Sequence, residues 1–131
     1  MNCMKSDVFK LTIPSKPDYI SVARLTSSCI SSKLGLSIDE IEDIKVCLSE
    51  ACTNALERTD EINITFEVTK DQLIITVDDV LLPENDDEKM EEIHFGILIM
   101  KSLMDEVNFS EKGVEMIKYL EDGLHEKEKE L

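Results

Sequence analysis

Phe9, Leu11 and Ile13 alternate with Val8, Lys10 and Thr12, which predicts a strand over residues 8–13 with one face buried. Pro14 ends it. Ser15 with Asp18 three residues on resembles a helix start, and Pro17 suits a first turn. Ile20, Ala23, Ser27, Ile30 and Leu34 then recur at helical spacing, with Gly35 placed to stop that helix.

Ser37 and Glu40 form the sequence signature of a capping box and open a second helix. Its apolar stripe is Ile41, Ile44, Leu48, Ala51 and Ala55. At about 100° per residue, Glu50 and Asn54 fall together on a flank of that stripe, beside Asp43 and Cys47.

Ile62, Ile64, Phe66 and Val68 alternate with polar residues, and after a polar turn at 69–72 Leu73, Ile75 and Val77 fall in phase on one face of a second strand. The period of two aims Asp79 at the same face as those three aliphatics, and Asp78 at the other. Residues 84–92, "ENDDEKMEE", carry seven acidic or amide side chains and read as a mobile acidic loop with room for a short helical piece. A third helix is expected along Ile93, Ile97, Met100, Met104 and Val107. A hairpin follows, with strands at 107–110 and 114–120 around Lys112-Gly113. Residues 1–122 therefore read as a single domain and 123–131 as a charged C-terminal tail. The fold class this predicts is α+β: a two-layer sandwich with a mixed, mostly antiparallel sheet and helices on one face.

Bulk composition narrows the function. A net charge of −15 over 131 residues argues against nucleic acid as a ligand and is compatible with a basic protein partner. No apolar run approaches the ~18 residues of a membrane span, so no membrane is expected, and with no signal peptide the expected compartment is cytoplasmic. Four cysteines, Cys3, Cys29, Cys47 and Cys52, lack metal-type spacing and are expected as buried reduced thiols. With only two histidines, His94 and His125, a zinc site is not expected.

Glu50 and Asn54 are the first chemical candidates. A carboxylate can take a proton from an attacking hydroxyl, and a neutral amide oxygen can ligate Mg²⁺ without repelling phosphates. The same spacing also fits a solvated helix flank. Asp79, if buried in strand phase, needs donors, and a ligand amino group would serve; a strand ending one residue earlier would leave it in a turn. Gly96 near a helix start would let a phosphate approach backbone N–H groups.

In this order the segments resemble the ATP-binding domain of the anti-sigma-factor serine kinases, small relatives of the histidine-kinase and gyrase-type ATPases. "IKVCLSEACTNAL" resembles the asparagine box, "LIITVDD" the strand ending in the adenine-reading aspartate, and "FGILIMKSLMDEV" the second glycine box with its helix. The resemblance spans residues 8–120. It implies ATP and Mg²⁺ as cofactors, Glu50 as catalytic base, Asn54 as magnesium ligand, and Asp79, Gly96 and Arg58 in nucleotide binding. Arg58 stands where a histidine is common. The implied activity is phosphorylation of a serine or threonine on an antagonist protein, by a homodimer that also holds a sigma factor inactive. One carboxylate and one metal ligand can suffice for phosphoryl transfer.

Leu81 and His94 occupy positions where the family pattern has glycine. Side chains there narrow the approach of backbone to ligand. The alternative function is accordingly a nucleotide-poor module of the same fold that sequesters a partner without catalysis.

Overall fold

The computed structural model describes residues 6–84 and 90–120. Five strands, β1 (Asp7–Pro14), β2 (Glu61–Val68), β3 (Gln72–Asp78), β4 (Glu106–Phe109) and β5 (Gly113–Tyr119), form one sheet in the order β1-β2-β3-β5-β4. All four pairings are antiparallel, so the mostly antiparallel sheet expected contains no parallel pair. Three helices, α1 (Ile20–Lys33), α2 (Ile38–Ala55) and α3 (Glu91–Leu103), complete the α+β fold. Helix α2 packs between α1 and α3.

Alternation explains the sheet. Ile62, Ile64 and Phe66 of β2, Leu73, Ile75 and Val77 of β3, and Val114 and Met116 of β5 are all buried in one core with Ala23, Ile44, Leu48, Ala51 and Met100 from the helices. The intervening Glu61 and Asn63 are exposed and Thr65 half-buried. Phe9 stays 46% exposed because β1 is an edge strand, whereas Ile13 at its other end is buried.

The capping box of α2 forms: Ser37 Oγ accepts from the Glu40 N–H at 3.1 Å, and Glu40 Oε1 accepts from the Ser37 N–H at 3.0 Å. Gly35, at φ +77°, turns the chain out of α1. The start of α1 differs from the expectation. Pro17–Tyr19 form a 3₁₀ turn without a side-chain cap, and the Ser15 hydroxyl donates to the Leu56 carbonyl at 2.8 Å, tying that turn to the end of α2.

Two further expectations, at Val107 and Cys29, are corrected. Val107 is not helical: α3 ends at Leu103, Met104 turns extended, and Val107 pairs with Met116 in the sheet. Cys29 is exposed, since it falls off the buried stripe of α1, while Cys47 and Cys52 are buried and free. Burial pushes both of those thiols up to about 12. The acidic segment contributes Glu91 and Glu92 to the first turn of α3, where carboxylates suit the helix dipole. The remainder of that segment at 85–89, Cys3 and the tail 123–131 lie outside the described residues.

For Asp79 the turn alternative holds and the in-phase one does not. β3 ends at Asp78, whose partner Gly113 is the first residue of β5, so no strand remains for Asp79 to pair with in phase. Instead Asp79 adopts φ +63°, a left-handed conformation aspartate tolerates, with its N–H on the Lys112 carbonyl at 2.8 Å. Its side chain is exposed, and Val80 turns into the core in its place.

Candidate functional site at the α2–α3 cleft

The last turns of α2 and the first turns of α3 border a cleft of about 670 Å³, within the range of small-molecule sites. Glu50, Thr53, Asn54, Glu57 and Arg58 line one wall; Glu91, Glu92, Ile93, Phe95 and Gly96 line the other. Helical spacing brings Glu50, Asn54, Glu57 and Arg58 to one face. The sequence singled out Glu50 and Asn54, and the same periodicity points to Thr53 and Glu57, which were missed. Glu91, Glu92 and Phe95 were missed because no local signal shows that α3 meets α2 here.

Glu50 is partly buried, and desolvation raises its carboxyl above the ordinary glutamate range. Its carboxylate makes no hydrogen bond or ion pair with any described residue. It lies against Gly96: a β-carbon built there would come 2.6 Å from Glu50 Oε1. Gly96 is the sixth residue of α3. The N–H groups without intrahelical acceptors belong to the first four residues, Glu91 to His94, so Gly96 is placed beside Glu50 rather than at the free helix end.

Asn54 is only 6% exposed. Its Nδ2 donates to the Leu81 carbonyl at 2.9 Å, and its Oδ1 accepts from the Leu81 N–H at 2.9 Å. The carboxamide thus pairs with a loop peptide as a neighbouring strand would. Arg58 Nε also donates to Oδ1, at 3.3 Å. The Leu81 side chain itself points outward, 43% exposed. Asp79 is not among the residues lining the cleft, but it stands two positions before the peptide that Asn54 holds.

Among the described residues, no three carboxylates, histidines or cysteines cluster as a metal site. A magnesium ion shared with phosphates needs fewer protein ligands, often one or two. Asn54 Oδ1 fits that use if it gives up its longer contact, the one from the exposed Arg58.

Residues 13–118 match the model of the histidine kinase-like ATPase domain. The chain is 36% identical over 139 aligned positions to the serine-protein kinase RsbW of Bacillus licheniformis, covering 88% of this chain and 87% of that protein. It is 34% identical to RsbW of Bacillus subtilis over the same shares, and 34% identical to RsbW of Staphylococcus epidermidis over 87% of each chain. With that breadth of match and the asparagine box facing a cleft, the chain belongs to the histidine kinase-like ATPase family.

Proposed function

We propose that this chain is an ATP-dependent serine protein kinase that phosphorylates an antagonist protein and, when not so engaged, holds a sigma factor inactive. The observation that carries this reading is the placement of Glu50 and Asn54, one helical turn apart, on the wall of one cleft in a chain 36% identical to a serine-protein kinase.

In this reading Glu50 accepts the proton of the attacking serine hydroxyl. The serine oxygen bonds to the γ-phosphorus, the bond to the bridging oxygen breaks, and ADP leaves. Burial favours this assignment, because a carboxylate whose proton affinity is raised by desolvation is the better proton acceptor. Asn54 Oδ1 would hold Mg²⁺, which would supply charge neutralisation at the phosphates. Arg58, once released from Asn54, has a free guanidinium for a phosphate oxygen. Asp79, whose side chain is exposed, accepts from the adenine amino group. Gly96 keeps the cleft wall low beside the phosphates.

The reading further makes the protein a cytoplasmic regulator of transcription, a homodimer built from a single domain over residues 1–122 with a charged tail at 123–131. Consistent with this, no helix among the described residues is long and apolar enough to cross a membrane. The test is incubation of the purified protein with ATP, Mg²⁺ and a candidate antagonist. A phosphoserine on the antagonist, found by mass spectrometry and lost in Glu50→Ala, is the expected result.

A further inference from the structure

Glu50 presents an unusual problem for a base: nothing among the described residues hydrogen-bonds or ion-pairs with its carboxylate to orient it. What lies against it is Gly96, buried in α3. A β-carbon at position 96 would come within 2.6 Å of Glu50 Oε1 and 3.5 Å of its Cβ and Cδ. The first distance is below any real contact, and the other two are ordinary packing. A side chain at 96 would therefore leave the helices where they are and displace the carboxylate alone.

We propose that Gly96 is a positioning residue, whose missing side chain forms the seat that sets where the Glu50 carboxylate stands in the cleft. A glycine in a helix interior costs helix stability relative to alanine. Position 96 is not left-handed, so no backbone conformation calls for glycine there. The steric demand comes from Glu50. This role rests on the reading of Glu50 as the base, but the seating itself is measurable without any activity.

The experiment compares wild type, Gly96→Ala, Glu50→Asp and the double variant. The Glu50 carboxyl is titrated by carbon NMR, with Glu57, Arg58, Glu91 and Glu92 as the charged neighbours along the cleft. Gly96→Ala should push the carboxylate out of its partly buried position, and its titration midpoint should fall toward that of an ordinary glutamate. Phosphorylation of the antagonist should fall about 100-fold, the cost of misplacing a reacting group by about an ångström, with KM for ATP changed by less than about threefold. Glu50→Asp, whose shorter arm clears the new methyl, should cost less in the Gly96→Ala background than in wild type.

An unchanged Glu50 titration in folded Gly96→Ala protein overturns the seating, whatever the kinetics. A shifted titration in a protein that phosphorylates nothing upholds the seating and removes the kinase reading instead. Kinase activity that survives Gly96→Ala intact, despite a shifted titration, overturns the positioning role.

Discussion

Asn54 and Leu81 are joined by two reciprocal 2.9 Å hydrogen bonds, a side-chain amide paired with a loop peptide 27 residues away. The residue assigned to the metal is therefore also what fastens the chain after β3 to helix α2.

Asn54→Ala should consequently do two things. It leaves the part-buried N–H and carbonyl of Leu81 without their protein partner, costing about 1 kcal/mol of stability, and it should weaken Mg²⁺-dependent nucleotide binding. Chemical denaturation and calorimetric titration read these separately. Unaltered stability would mean that the loop finds water in place of the amide.

Glu50→Ala should leave nucleotide affinity roughly unchanged and reduce phosphoryl transfer by about 10²–10⁴-fold, the usual range for a positioned base. Equal losses of affinity in the Glu50 and Asn54 variants would contradict the division of labour between them.

Glu50→Gln carries a pH signature. Because the folded-state pKa is raised, the ionised carboxylate opposes folding; the wild-type contribution is intact below the unfolded glutamate value and lost as pH rises through the folded one. The variant should thus be the more stable at pH 7, by no more than about 1 kcal/mol because the group keeps part of its solvent. The difference should vanish below about pH 4. Unfolding curves at both pH values decide it, and a wild type more stable at pH 7 would reverse the sign.

Among the described residues the cleft is lined by Glu50, Glu57, Glu91 and Glu92 against one cation, Arg58. Like charge should repel a bare polyphosphate, so ATP affinity should fall at least about tenfold when EDTA removes Mg²⁺. Equal affinity with and without the metal would count against Asn54 as its ligand.

Leu81→Gly should leave ATP affinity nearly unchanged, because the clasp to Asn54 uses only the backbone of residue 81 and its exposed side chain does not line the cleft. His94→Gly lies within the first turn of α3 and should cost roughly 0.5 kcal/mol of helix stability while opening the approach to the cleft. Tight wild-type binding weakened by either change would show that these side chains belong to the site.

Much of this architecture was legible before any coordinates. The stripe of α2 and its capping box are local patterns, and Ser37, Glu40, Ile44 and Leu48 sit as their spacing says. The strand faces at Ile62–Phe66 and Leu73–Val77 are legible for the same reason. Asp79 was not, because the end of β3 is dictated by where β5 begins, at Gly113, and period-two reasoning carries no information about a partner strand. Val107 matched both a helix stripe and a strand, and sheet pairing with Met116 decided it. The contacts of Asn54 with Leu81 and of Glu50 with Gly96 are tertiary, and no spacing along one helix reveals them.

The seam between β3 and β5 has a consequence for how the protein comes together. Residues 79–112 must close on themselves before Asp78 can meet Gly113, where a β-carbon would lie 2.1 Å from the Val77 carbonyl. Closing so long an excursion is an entropic barrier that local contacts do not offset, which slows folding. Within that excursion lie Asp79, Leu81 and all of α3, the far wall of the cleft. A half-folded chain that has made only α1, α2 and the β1-β2-β3 meander thus carries Glu50 and Asn54 with nothing opposite them. Both walls of the cleft are present only once α3 has packed against α2.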